Sequence, residues 1–322
     1  MIAIFLHEIM LQLRNVKMKT KYLQNSQIDE AAELLQSGKT VAIPTETVYG
    51  LGADAFNPIA VAKIFEAKNR PSFDPLIVHI ADFEQIFKVA KNVPPLAEKL
   101  TKKFWAGPLT IILPKQKEIP DLLTAGLGSV GIRIPDKEIT REIIRKSKTA
   151  IAAPSANLFG HTSPTTAQQV LDDLDGRIDA VIDGGACSVG VESTIISFVN
   201  ETPVCYRFGG LPLEEIESVI GKVELAGFHG KEDVAPGRTL RHYAPNTPLY
   251  LNKKESDFPA GTKIGYLNQD GNLYEIAQRL YSEIRDVDNK NCDVIFAHLV
   301  ENRGIGMAIN DRLRRAAEDG RL

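Results

Sequence analysis

The chain has 322 residues, 43% hydrophobic and 25% charged, with a formal net charge of -3. That balance is ordinary for a globular protein and argues against bulk polyanion binding, although a locally basic face is compatible with it. The cysteines Cys187, Cys205 and Cys292 are too few and too scattered for a disulfide framework or a Cys-x-x-Cys metal site, so a reduced, cytoplasmic setting is expected.

In chain order, Met1 to Leu13 is apolar but broken by His7 and Glu8. No basic stretch precedes it and it is too short to cross a bilayer, so it predicts neither a secretory leader nor a membrane anchor. Residues 1–24 are expected to be peripheral, with Met18 as an alternative start. Ile28, Ala31, Ala32 and Leu35 share a helical face that Gly38 ends, and Thr40 to Ile43 reads as a buried strand. Asn57-Pro58 is a helix cap with proline at the first helical position, and the helix continues to Ala67. Strands are expected at 76–80, 109–113, 130–134, 150–153, 180–182 and 194–198, and helices at 83–90, 94–104, 138–146, 165–174 and 213–220. Several connections are too short for helical crossovers, so a mixed, twisted α/β sheet with flanking helices and a ligand cleft is expected. Aperiodic residues after Gly221 mark a linker, followed by strand 262–267, helix 273–283, strand 294–297 and helix 307–317. The expected organisation is a catalytic domain over 25–222, a linker or lid over 223–246 and a small α/β, Rossmann-like domain over 247–322.

Polar motifs gather where strands or helices end, which is where α/β proteins assemble ligand sites. Lys68 and Arg70 are close cations that could clamp phosphate oxygens or simply complement a helix C-terminus. Pro154-Ser155-Ala156-Asn157 follows an apolar strand and offers small hydrogen-bonding groups, or plain turn chemistry. Ser163-Pro164-Thr165-Thr166 reads as an N-cap with proline at the first helical position, a structural cap or an anion site. Gly190-Val191-Glu192-Ser193-Thr194 lies in a glycine-rich loop lacking both the Walker and the dinucleotide signatures. Arg133, inside an apolar strand, requires a carboxylate opposite it, from protein or substrate. His79 alternates with apolar residues and suits a structural role as well as a ligand contact; Arg207 caps a cleft edge or is solvated. Arg241-His242-Tyr243-Ala244-Pro245 is too rich in cation-capable and aromatic groups for a spacer and could fold back as a lid.

Together, these segments resemble the threonylcarbamoyl-AMP synthase family, the YrdC-like proteins in their long form with an appended C-terminal domain. The likeness runs from Ile28 onward through Pro-Thr-Glu-Thr-x-Tyr-Gly at 44–50, Lys-x-Arg at 68–70 and Gly-Pro-Leu-Thr at 107–110. It continues through Gly-x-Arg-x-Pro at 131–135, Ser-x-Asn at 155–157, Ser-Pro-Thr-Thr at 163–166, Glu-Ser-Thr-Ile at 192–195 and Arg-His-Tyr-Ala-Pro at 241–245. The resemblance implies a nucleotidyltransferase that joins L-threonine, bicarbonate and ATP into threonylcarbamoyl-AMP with release of pyrophosphate. The product would feed a threonylcarbamoyl transferase complex that modifies adenosine next to the tRNA anticodon, with tRNA itself as a further candidate partner. It implies that Thr47, His79, Arg133 and Ser193 face threonine. Lys68, Arg70, Asp74, Ser129, Ser155, Asn157, Ser163 and Arg207 would surround ATP, with Tyr243 closing the cleft, and catalysis would rest on Lys68, Arg70, Ser155 and Asn157. Mg²⁺ would arrive on the nucleotide, with no permanent cofactor and no protein metal cage. Two rivals are an RNA-binding module and the carbamoyl-transfer domain of hydrogenase-maturation proteins. The first lacks interleaved basic and aromatic residues, and the second is expected to carry a Cys-rich zinc module not found here.

Overall fold

The computed structural model describes residues 19–200, 202–226 and 242–318. The expectations for residues 1–18, Arg241 and most of the linker lie outside the described residues.

Eleven strands form one mixed sheet: β1 Lys21–Leu23, β2 Val41–Ile43, β3 Gly50–Asp54, β4 Ile77–His79, β5 Leu109–Pro114, β6 Ser129–Arg133, β7 Ile151–Ala152, β8 Ala180–Ile182, β9 Thr194–Ser197, β10 Val204–Arg207 and β11 Glu224–Leu225. Their order is β1-β8-β2-β3-β7-β4-β6-β5-β9-β10-β11. Parallel pairs such as β4–β6 and β5–β9 alternate with antiparallel ones such as β4–β7 and β5–β6, as the short connections require.

The two-residue period of a strand decides what each face carries. In the central strands, Val78, Leu109, Ile111, Val130, Ile132 and Ile196 point into the main core, beneath helices that include Pro58–Lys68 and Pro95–Phe104. Their neighbours His79, Thr110, Ser129 and Arg133 therefore point the other way, as does a small apolar group of Ile77, Ile112 and Ile195. This second face is the floor of the cleft. Toward β2 and β8 the same face is instead sealed by Leu35, Ile143 and Ile144 from helices Ile28–Gln36 and Glu138–Ser147.

Four strands of this sheet (β1, β3, β10 and β11), and Leu249–Leu251 outside it, are not among the elements expected from the sequence. β3 is Gly-Leu-Gly-Ala-Asp, a composition with little strand propensity that is held by β2 on one side and β7 on the other. β10 and β11 were likewise unassigned, so Arg207 sits on a strand rather than in a loop. The helix expected from residue 165 begins at Ala167, with Thr166 as the cap accepting from the Gln169 amide. Ser163 is thus no helix cap, and its hydroxyl is used elsewhere.

A second sheet holds β12 Leu249–Leu251, β13 Ile264–Tyr266 and β14 Val294–Ala297 in the order β12-β14-β13, all parallel. Helices Leu273–Asp288 and Gly306–Ala316 pack on it, the first started by an Asn272 capping box. Its core extends into the first body, because Val48, Val191 and Tyr243 pack with Tyr281, Leu280 and Leu313. Gly190 makes that approach possible. Its φ is +80°, and an added Cβ would lie 2.4 Å from the Ala277 carbonyl oxygen and the Gln278 Cα. Gly190→Ala is therefore expected to destabilise the chain by about 2–4 kcal/mol, combining backbone strain with overpacking, as a lowered urea midpoint would report.

Candidate active site

A cleft with about 560 Å³ of empty space lies over the floor just described. Its walls come from the loop Thr45–Gly50, the Arg70–His79 stretch, Ala153 to Ser155, Glu192 and Ser193, Arg207, and the pair His242-Tyr243.

Arg133 is buried in the floor. Its Nε donates to the Gly107 carbonyl at 3.0 Å and Nη1 donates to Thr47 Oγ1 at 2.8 Å, while Nη2 lies 2.5 Å from Glu46 Oε1. The carboxylate that a buried arginine demands is thus supplied by the protein. Glu46 also accepts from the Asp136 amide through its other oxygen, at 3.0 Å. Thr47 is held in turn by Thr45, whose hydroxyl lies 2.8 Å away and donates to the Val48 carbonyl. The parallel register sets His79 beside Arg133. Burial, reinforced by that guanidinium, pushes the imidazole pKa down to about 3, so the ring is neutral, and its Nδ1 is buried without a partner. On β9's approach, Ser193 Oγ sits 2.7 Å from Thr110 Oγ1 and accepts from Arg207 Nη2 at 3.2 Å. Arg207 Nε also donates to the Ser193 carbonyl at 3.1 Å.

On the opposite wall, the helix Pro58–Lys68 ends with Asn69 in the left-handed region, which directs the chain into Arg70. Lys68 is fully buried, and its ammonium donates to the carbonyls of Ser155 at 2.5 Å and Asn157 at 2.6 Å. Burial first, and the nearby Arg70 second, drive its pKa well below the usual lysine value. Arg70 pairs with Asp74 at 2.9 Å and donates to the Asp74 and Pro75 carbonyls at 3.2 and 3.0 Å. Asn157 spends its amide nitrogen on the Leu158 and His161 carbonyls and leaves Oδ1 buried without a partner.

The structure therefore brings Thr47, Arg70, His79, Arg133, Ser155, Ser193, Arg207 and Tyr243 onto one cleft. Lys68, Asp74 and Asn157 stand directly behind its wall, Lys68 bonded to Ser155, Asp74 to Arg70, and Asn157 to Lys68. Ser129 lies instead in an adjoining recess that shares Pro75 and Ile77 with the cleft. Ser163 reaches the cleft through Glu192, to which it donates at 2.7 Å. Sequence reasoning gave no role to Glu46 or Glu192 and passed over Tyr281 and Arg312 altogether. The available signal was Arg312 on the apolar stripe of its helix, beside Ala308, Ile309, Leu313 and Ala316.

Such a cleft holds cations, hydroxyls and a neutral imidazole but pairs no nucleophile with a base. Cations and hydroxyls of this kind suit an enzyme of the group-transfer class, in which the protein aligns an anionic substrate. A family profile described as "Telomere recombination" matches residues 33–209, and one described as "Threonylcarbamoyl-AMP synthase, C-terminal domain" matches 211–318. The threonylcarbamoyl-AMP synthase of Pyrococcus abyssi is 44% identical, with 89% of this chain and 93% of that one covered. The one from Bacillus subtilis is 41% identical, covering 90% and 93%. The crystal structure of Pyrococcus abyssi Sua5 complexed with L-threonine superposes with a TM-score of 0.86 at 41% identity, covering 92% of this chain and 97% of that one. The chain belongs to the threonylcarbamoyl-AMP synthase family, with that family's C-terminal domain. It is an enzyme of the nucleotidyl-transfer type, with ATP as a substrate. Among the described residues no helix is long and apolar enough to cross a membrane.

Proposed function

We propose that this cleft joins L-threonine, bicarbonate and the adenylyl group of ATP into L-threonylcarbamoyladenylate and releases pyrophosphate. The observation that carries the reading is the placement of Arg70, Arg133 and Arg207 around one cavity, lined also by two histidines whose Nδ1 atoms are buried without a partner. Buried polar atoms are normally satisfied, so His79 Nδ1 and His242 Nδ1 call for a polar ligand.

Threonine would lie on the sheet floor against Thr47, His79, Arg133 and Ser193. Three of Arg133's five N–H groups are used by Gly107, Thr47 and Glu46, leaving two for a substrate carboxylate. ATP would lie along the wall built by Lys68, Arg70, Asp74, Ser155 and Asn157, reaching Ser129, Ser163, Arg207 and Tyr243. Threonine's amine adds to the carbon of bicarbonate, and water is lost to give a carbamate. A carbamate oxygen then bonds to the α-phosphorus as the bond to the bridging oxygen of the β-phosphate breaks. No protein atom needs to bond covalently, so the work is alignment and charge neutralisation.

The described residues hold no cluster of three or more His, Cys, Asp or Glu suited to a metal. Asp74, Glu46 and Glu192 are each committed to an arginine. Mg²⁺ would therefore be held by the nucleotide's phosphates and would supply charge neutralisation there. The product would pass, in the cytoplasm, to a threonylcarbamoyl transferase complex acting on tRNA. Residues 25–222 would form the catalytic domain and 247–322 the appended domain, joined by 223–246. Pyrophosphate release from ATP is the test: it is expected only when L-threonine and bicarbonate are both present. Release that is indifferent to threonine would overturn the reading.

A further inference from the structure

The structure assigns to Arg312, in the C-terminal domain, the positioning of the cleft wall formed by Glu192, Ser193 and Arg207, so that the substrate site is complete only when this arginine is docked. The inference rests on the functional reading above and goes beyond it by placing a determinant of the cleft outside the catalytic domain.

Arg312 is 0% exposed, at the centre of the helix Gly306–Ala316. Its guanidinium is shared among four groups. Nε pairs with Glu192 Oε2 at 2.7 Å, Nη1 with Asp311 Oδ2 at 2.6 Å, and Nη2 donates to the Phe208 carbonyl at 3.0 Å. Its plane also lies against the Tyr243 ring, 5.1 Å from the centroid. Glu192 and Phe208 are the chain neighbours of Ser193 and Arg207, the two cleft residues that bond to each other. One side chain therefore ties both strands of that wall and the linker aromatic to a single rigid fork.

A second residue of the C-terminal domain completes the cage. Tyr281 donates its hydroxyl toward Glu192, at 3.0 and 2.9 Å from the two oxygens, and stacks on Tyr243 with centroids 5.5 Å apart. Close approach of the wall's backbone is built in as well, because a Cβ on Gly209 would fall 2.3 Å from the Glu192 carbonyl oxygen. Glu192 is thus surrounded by Arg312 and Asp311 from one helix and Tyr281 from another. Arg207 on β10, Tyr243 and His242 from the linker end, and the Ser163 hydroxyl complete its surroundings. Arg312 and Arg207 hold the carboxyl down to about 2 in spite of its burial.

The test compares Arg312→Gln, Arg312→Lys and Glu192→Gln in the full-length chain. Arg312→Gln is expected to lower kcat/KM for L-threonine by about 10- to 100-fold, and Arg312→Lys to recover part of it by restoring the charge. Without the guanidinium, one of the two cations that hold the Glu192 carboxyl at about 2 is gone, so its folded pKa moves up toward the unfolded value and its contribution to stability shrinks. Wild type loses that contribution as pH falls from about 5 to about 2, so the thermal midpoint of Arg312→Gln, relative to wild type, is expected to rise over the same range. In a Glu192→Gln background, which lacks the titrating group, Arg312→Gln should add no further change to the pH dependence. A folded Arg312→Gln with wild-type kcat/KM and a wild-type pH dependence of its midpoint overturns the inference. So does an Arg312→Lys no better than Arg312→Gln with the same midpoint-pH curve. The midpoint readout needs no turnover, so failure of the functional reading, seen as threonine-independent wild type, is told apart from failure of the Arg312 network.

Discussion

Lys68→Ala is expected to lower threonine-dependent pyrophosphate release by ~10²–10³-fold, the loss typical of removing one preorganised charge-stabilising donor. The ammonium is buried at the end of a helix and bonded to two backbone carbonyls rather than to a carboxylate. Its charge is offset only at a distance, by Asp74 and Asp173, rather than by a bonded carboxylate like those of Arg70 and Arg133, and a polyphosphate in the cleft beyond Ser155 would add to that anionic field. The depressed pKa has the same origin: burial and Arg70 disfavour the cation, and a phosphate beside it would favour the cation again. Alanine removes the charge and also frees the carbonyls of Ser155 and Asn157, loosening the turn between them. Lys68→Met keeps most of the stem, so it is expected to lose similar activity at a smaller cost in stability. Steady-state pyrophosphate assays beside urea titrations separate the two effects, and activity near wild type in Lys68→Met would sink the phosphate-clamp role.

The second large effect belongs to the pair Glu46–Arg133. Removing either partner alone leaves the other charge buried, and a destabilisation of about 3–5 kcal/mol is expected for Glu46→Ala or Arg133→Ala. Both side chains are almost wholly buried, with 5% and 4% of their surfaces exposed, so solvent cannot relieve the orphaned charge. The double substitution Glu46→Met/Arg133→Met is expected to regain much of that stability, because an apolar pair tolerates burial. It should regain no threonine-dependent activity, because the two N–H groups free for a substrate carboxylate are gone. Urea unfolding of the single and double variants, with threonine titrations on those that fold, checks both halves. A double variant as unstable as the singles would show that the site needs the charges for folding itself.

Strong periodicity made most elements of the larger sheet and its helices legible: the strands around Val78, Ile111 and Ile132 and the helices after Asn57 and before Gly221 lie where the pattern put them. β3 was illegible because two glycines and an alanine carry no strand signal, and only its neighbours hold it. At the site, motif residues at element ends were identifiable as a group, yet their pairing was not. Nothing local to Glu46 announces an arginine 87 residues ahead, and nothing local to Glu192 announces one 120 residues ahead. Those contacts exist only in the folded chain, where the loop between β2 and β3 meets the end of β6 and the C-terminal helices pack against the loop before β9. Ser163 shows the converse error, since Ser-Pro is the pattern of a helix start, but tertiary demand from Glu192 outweighed it.

The cleft walls come from stretches as far apart in the chain as Thr45 and Tyr243. An unfolded or half-folded chain therefore owns no part of the site that could hold a ligand by itself. Occupancy and global folding are thus thermodynamically linked: a ligand at a hundred times its Kd would add about 2.7 kcal/mol to the stability of the whole molecule. Substrate supply would then govern how long the enzyme survives as well as how fast it turns over.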